Sequence, residues 1–192
     1  TMRSFKGADH RSTILITCAK GIPPFLKQEL TSLSYPVRSE AVAAVETEGS
    51  LDDAMALNLR LRTAQRVLFV LQEFRARDAE ALYHAVRAFP WETAIPSDGY
   101  LCVTSSVEMP VIRDSRFASL KCKDAIVDRI KERTGRRPDA GPERDRSVVH
   151  LYWKDGKGVV YLDTSGEPLS RRGYRRIPMA APMQETLAAA VV

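Results

Sequence analysis

Arg66-Val-Leu-Phe-Val-Leu71 is a continuous apolar run of strand length, and a strand that is apolar on both faces belongs in the interior of a sheet. The residues before it decide which sheet it closes. Ser12-Thr-Ile-Leu-Ile-Thr-Cys18 is short, β-branched and apolar and ends just before Gly21, so it reads as a second strand. Pro23-Pro24 then opens a helix, because proline costs little in a first turn whose amides have no intrahelical partner. Phe25, Leu26, Leu30 and Leu33 supply its apolar face, and Tyr35-Pro36 stops it. Val37 and Ala41-Val-Ala-Ala-Val45 predict two short strands joined by a tight polar turn, the second closed by Glu48-Gly49. Ser50 is expected to cap another helix, with Asp52 and Asp53 in its first turn and Leu51, Ala54, Met55, Leu59 and Leu61 toward one side. Strand, helix, strand, strand, helix, strand over residues 12–75 is the split βαβ order of ferredoxin-like domains, a scaffold that does not by itself reveal function.

Working outward on the other side, Asp78 begins a second unit. It caps a helix with Ala81, Leu82, Ala85, Val86 and Phe89 toward the core, ended by Pro90, with Trp91 expected against the helix end. Tyr100-Leu-Cys-Val-Thr104 predicts a strand. Ser115 is expected to cap a long helix whose Phe117, Leu120, Cys122, Ala125, Ile126 and Ile130 face inward and which Thr134-Gly135 ends. Residues 136–146 read as a charged loop. The apolar runs 147–153 and 158–163 flank Lys154-Asp-Gly-Lys157, and an Asp-Gly turn in that setting predicts a hairpin. Gly166, Pro168 and Gly173 break regular structure in a connector, and a last helix starts near Pro182 with its apolar pattern still running at the chain end. The expected organisation is α+β, with one domain over 12–75, another over 76–166, and a connector with a first helix over 167–192.

With 44% apolar and 28% charged residues, the composition is that of an ordinary globular protein. No apolar run approaches the roughly 20 residues of a membrane span. Residues 1–11 are polar where a signal peptide would be apolar, so a cytoplasmic protein without membrane partners is expected. Cys18, Cys102 and Cys122 are odd in number and far apart, which predicts reduced thiols packed in the core. Cys122, between two lysines, is the one whose pKa could instead be lowered. The net charge of +5 is unevenly placed: residues 111–176 carry 17 Lys and Arg against 10 Asp and Glu, or +7, whereas residues 1–110 carry 12 against 13. Such a local excess attracts polyanions.

Catalysis is not expected within these residues. No strand runs into a glycine-rich turn and helix of the kind that cradles a nucleotide or S-adenosylmethionine, and Gly156 and Gly158 belong to the hairpin. His10, His84 and His150 are scattered, so no metal site is expected, and no GxSxG nucleophile turn is present. What remains is basic. Arg113, Arg116, Lys121 and Lys123 fall near the start of the long helix, where free amides and the helix dipole also favour an anion; a solvated outer face is the equal alternative. Arg136 and Arg137 follow its end. In Arg171-Arg-Gly-Tyr-Arg-Arg176, the guanidinium groups of Arg171, Arg172 and Arg175 offer multidentate contacts to phosphate and Tyr174 can stack on an unpaired base; the alternative is a solvated linker.

Several of these stretches together resemble the N-terminal region of bacterial THUMP-domain class I methyltransferases, including the type that modifies guanosine N2 in 23S ribosomal RNA. They are Thr17-Cys-Ala-Lys-Gly21, Asn58-Leu-Arg-Leu-Arg-Thr-Ala64, Phe74-Arg-Ala-Arg77, residues 115–129, Arg133-Thr-Gly-Arg-Arg-Pro138 and residues 162–175. The resemblance runs from about residue 13 to the end. It implies a ferredoxin-like domain, then a THUMP domain gripping structured RNA, ribosomal rather than transfer RNA, then a Rossmann-like catalytic domain in cis that uses S-adenosylmethionine. No Asn/Asp-Pro-Pro-Tyr type motif occurs within these residues, and residues 181–188 resemble the lead-in helix of that last domain, so the expectation is a chain truncated before it. Relatives often bear a DNA adenine methylase label, which an RNA-gripping domain makes the weaker expectation. A stand-alone RNA-binding adaptor is the alternative reading.

Overall fold

The computed structural model describes residues 10–110, 114–173 and 183–191. They form two units, and the division falls inside one strand, between Phe69 and Val70, with residues from Thr164 onward returning to the first unit.

The first unit opens with β1 (Ser12–Thr17), α1 (Pro23–Ser32), β2 (Ser39–Ala41), β3 (Ala44–Gly49), α2 (Leu51–Arg60) and β4 (Arg66–Arg75). Its strand order is β2-β3-β1-β4, and every pairing is antiparallel. This is the expected ferredoxin-like arrangement. β3 alternates, burying Val45, Thr47 and Gly49 while Glu46 and Glu48 face outward to Ser39 and Arg38 at 2.6 and 2.7 Å. The β2–β3 turn is Val42-Ala43 and not polar, and Val37 lies outside the strands. The apolar run misled because the true alternation includes a buried threonine, whose hydroxyl donates to the Pro36 carbonyl at 2.8 Å. On α1, Leu26 and Leu30 are buried and Phe25 faces out. On α2 the core face is Ala54 and Leu57, continued by Leu61, whereas Met55 and Leu59 are exposed. Ser50 caps α2 in a reciprocal box with Asp53.

In the second unit the C-terminal part of β4 is followed by α3 (Ala79–Arg87), a single 3₁₀ turn (Trp91–Thr93), β5 (Tyr100–Glu108), α4 (Ser115–Thr134), β6 (Asp139–Ala140), β7 (Ser147–Lys154) and β8 (Lys157–Asp163). The strand order is β4-β8-β7-β5-β6, with β5 parallel to both β6 and β7. A two-residue strand therefore interrupts the expected loop 136–146. α3 and α4 pack on one another and α4 on β5, burying Leu82, Val86, Ile126 and Ile130. Asp78 caps α3 through the Ala81 amide at 2.8 Å. Trp91 closes the end of α3, fully buried with its indole N–H on the Val86 carbonyl at 2.7 Å. Asp155 and Gly156 both take positive φ, +48° and +74°, the backbone of the two-residue turn that matches strand twist. A Cβ on Gly158 would overlap the ring of Phe74, so this position admits only glycine beside that aromatic.

A further 3₁₀ turn (Leu169–Arg171) and α5 (Glu185–Val191) complete the first unit. All three cysteines are free and buried. Burial pushes the Cys122 thiol up to about 12, so its lysine neighbours in sequence do not activate it. Among the described residues no helix is long and apolar enough to cross a membrane.

Candidate nucleic-acid interface

The basic residues singled out from the sequence are set largely by α4, a helix of 20 residues and therefore roughly 30 Å long. It runs from the C-terminal part of β5, where the Ser105 hydroxyl bonds to the Ser115 carbonyl and to Ser119 at 2.8 and 2.7 Å, back to the end of the sheet where β5 begins. Arg116, Lys121 and Lys123 thus sit at one end, and Arg136 and Arg137 just past the other. One phosphate cannot be shared between the two groups, and a single bound chain would have to extend along the helix to reach both.

At the N-terminal end the cap is Asp114 and not Ser115. Its carboxylate accepts from the Arg116 amide at 2.8 Å and from the Arg116 guanidinium at 2.9–3.1 Å. Those guanidinium bonds, with the amide bond after them, hold the Asp114 carboxyl below its usual range. An aspartate thus occupies the place where an anion was expected, and Arg116, although highly exposed, is partly neutralised. Lys123 pairs with Asp124 at 3.1 Å. Lys121 lies 6.0 Å from the centre of the Tyr83 ring, which Arg87 also approaches at 5.9 Å, within cation–π range. The Tyr83 hydroxyl donates to Asp128 at 2.7 Å, and this bond, with some burial, raises its pKa. Phe117 and Leu120, expected inward, are 45% and 50% exposed, so the first turns of α4 present apolar as well as cationic surface. Arg113 lies outside the described residues.

The C-terminal end is freer. Gly135 ends the helix in the left-handed conformation (φ +71°), and the Thr134 hydroxyl accepts from the Arg136 amide at 3.2 Å, turning the chain outward. Strand register then gathers charge: Tyr100 and Leu101 pair with Asp139 and Ala140 on one side, and Leu101 pairs with Ser147 on the other. Arg137 and Arg146 therefore lie just ahead of β6 and β7, at the same end of the sheet, on strands separated by β5 and so roughly 10 Å apart. Lys131, Arg136, Arg137 and Arg146 are exposed, and none of them forms an ion pair among the described residues. Lys131 and Arg146 were not singled out from the sequence; only the helix length and the parallel register bring them to this rim. By contrast Arg129 and Arg133 converge on Glu92, Arg129 with two bonds at 2.9 and 3.1 Å, and the Arg129 bonds chiefly hold the Glu92 carboxyl low.

The connector arginines belong to the first unit. Arg171 is exposed and pairs with Glu167 at 3.6 Å. Arg172 is half-buried, its guanidinium on the carbonyls of Asn58, Leu59 and Leu61 at 2.6, 3.4 and 2.7 Å. Tyr174 and Arg175 lie outside the described residues. No cluster of His, Cys, Asp or Glu able to hold a metal occurs among the described residues. The β1-to-α1 turn carries Gly21 but no glycine-rich cradle, so these residues do not fit a bound S-adenosylmethionine.

The chain thus carries a ferredoxin-like unit followed by a mixed α/β unit with a cationic rim. Residues 13–68 match the RlmL ferredoxin-like domain and residues 76–163 match the THUMP domain, so the chain carries an RlmL-type ferredoxin-like domain followed by a THUMP domain. It is 41% identical over 179 residues to "Ribosomal RNA large subunit methyltransferase K/L" of Pseudomonas aeruginosa, covering 93% of this chain and 25% of that protein. The chain spans about a quarter of the length of the curated relatives it matches. Among solved structures it resembles a "predicted N6-adenine-specific DNA methylase" from Listeria monocytogenes, with TM-score 0.82, 29% identity and coverage of 95% of this chain and 48% of that one. It also resembles SMU.472, solved in complex with SAH, with TM-score 0.81, 28% identity and coverage of 94% and 48%.

Proposed function

We propose that this chain is the RNA-gripping region of an S-adenosylmethionine-dependent RNA methyltransferase. Its second unit holds structured RNA by the phosphate backbone for a Rossmann-like catalytic domain carried in the same protein. Large-subunit ribosomal RNA is the substrate over transfer RNA, with N2 of a guanosine as the methylated atom, and the place of action is the cytoplasm. The observation that carries the reading is the rim of Lys131, Arg136, Arg137 and Arg146, exposed cations that have no acidic partner among the described residues of a THUMP domain. Arginine and lysine held outward in this way release condensed counterions when they meet phosphates. Arg116, Lys121, Lys123 and Arg171 contribute less, because three of them must first leave an intramolecular carboxylate. Arg113, Tyr174 and Arg175 complete the proposed set.

Binding of a structured ribosomal RNA fragment, followed by anisotropy across a salt series, tests this. Each lost phosphate contact lowers the slope of log K against log salt by about one unit, so reversing both Arg136 and Arg137 to glutamate should lower it by about two. Unchanged affinity and slope would refute the rim as the RNA contact. Methyl transfer from S-adenosylmethionine to large-subunit ribosomal RNA, and not to transfer RNA, by a protein carrying this chain ahead of a catalytic domain tests the rest.

A further inference from the structure

The segment after β8 is tied to α2 and the start of β4 by a set of polar contacts from residues 164, 165, 166, 169 and 172. The Thr164 amide and hydroxyl both donate to the Val67 carbonyl, at 3.1 and 2.9 Å. The Ser165 hydroxyl accepts from the Val67 amide at 2.8 Å and donates to Asn58 Oδ1 at 2.7 Å. Asn58 Nδ2 donates to Thr164 Oγ1 at 2.7 Å and to the Ala54 carbonyl at 2.9 Å. Arg66 reaches the Gly166 carbonyl at 2.8 Å, and the Leu169 amide donates to the Gln65 carbonyl at 2.9 Å while the Leu169 side chain is buried. Arg172 closes the set at the end of α2.

That end is a place where a cation is needed. A helix leaves its last carbonyls without intrahelical partners, and a left-handed glycine usually satisfies some of them. α2 has no such glycine; its C-cap is Leu61 in extended conformation. The guanidinium of Arg172 instead bonds the carbonyls of Asn58, Leu59 and Leu61 and places its charge at the negative end of the helix dipole. Three acceptors around one planar fork suit arginine and not lysine.

We infer that Arg172, with Asn58, is a latch that docks the connector on α2 and fixes the point from which the chain departs after Gly173. Arg172 is then a positioning residue and not a phosphate contact, although it lies in the arginine cluster. The inference rests on the proposed function only for the catalytic domain beyond the connector, whose origin the latch would set.

Amide exchange on the 192-residue chain, wild type against Arg172→Ala and Arg172→Lys, tests it. Both variants should speed exchange at Leu169 and Arg171 about tenfold or more and loosen α5, which packs on the Leu169–Arg171 turn, while β1 to β3 keep wild-type protection. Lysine should fail to rescue, because it retains the charge but not the fork. Wild-type exchange in the alanine variant, or an equal rise throughout the first unit, overturns the latch. So does a salt slope for RNA binding that falls by about one unit in Arg172→Ala and recovers in Arg172→Lys. Failure of the wild-type chain to retain any RNA would sink the proposed function alone, since exchange decides the latch without RNA.

Discussion

Replacing Glu29 with alanine should destabilise the first unit by about 3 kcal/mol, chiefly by orphaning donors that its carboxylate now satisfies. The side chain projects from α1, is 15% exposed, and accepts from the Arg62 amide at 3.2 and 3.3 Å, the Thr63 amide at 3.2 Å, the Thr63 hydroxyl at 2.8 Å and Arg62 Nε at 3.3 Å. These residues carry the chain from α2 into β4. The Arg62 guanidinium is 73% exposed, so its ion pair adds little. Thr63 is 2% exposed, and a buried donor left without a partner costs about 1–3 kcal/mol, which for its amide and hydroxyl gives the stated total. Glutamine keeps one acceptor oxygen and should cost about 1 kcal/mol, the scale of one hydrogen bond. Urea unfolding should be followed by far-UV circular dichroism, because both tryptophans, Trp91 and Trp153, lie in the second unit and their fluorescence watches the other half. In a cycle with Thr63→Val the coupling should be about 1 kcal/mol or more. A Glu29→Ala variant within about 0.5 kcal/mol of wild type, the ordinary range of surface substitutions, or strict additivity with Thr63→Val, would refute the reasoning.

Two further outcomes are expected. The Asp53 carboxyl is held below its ordinary value of 3.8, first by the Ser50 amide at 2.8 Å and then by the hydroxyls of Tyr35 and Ser50. A depressed folded pKa gives stability that is present above the unfolded value and lost as pH falls through the folded one. Asp53→Asn should therefore be less stable than wild type at pH 7 and lose less on acidification below about pH 4; parallel urea midpoints for the two proteins across that range would contradict the assignment. Burial raises the thiols of Cys18 to about 11 and Cys122 to about 12 and also raises that of Cys102, so a thiol-exchange reagent at pH 8 should find the native protein inert and react only on unfolding. Rapid labelling of one cysteine in the folded state would place that residue nearer the surface.

Most of the element order was legible because local signals announced it: the apolar runs at 12–18 and 66–71, the double proline before α1, Ser50 and Asp78 as caps, and Asp155-Gly156 as a turn. Errors arose where an apolar residue was counted as inward by spacing alone. Phe25, Met55, Leu59, Phe117 and Leu120 share helical periodicity with core residues yet are exposed, because the width of the buried stripe depends on what packs against it. β6 was missed because two residues carry no periodicity and exist as a strand only through the neighbouring β5.

The candidate site divides in the same way. By itself the sequence determined that positive charge concentrates after residue 110, that α4 is long, and that a ferredoxin-like unit precedes a second mixed α/β unit, since charge and periodicity are additive along a chain; the THUMP reading of that second unit came from the family resemblance. Only the tertiary structure decided which cations are free. Asp114 takes up Arg116, Glu92 gathers Arg129 and Arg133, parallel register brings Arg146 to the same end of the sheet as Arg137, and α2 claims Arg172 across more than a hundred residues. Whether a charge can serve a ligand depends on the partners that folding has given it, and those partners are neighbours in space whose identity no linear pattern records.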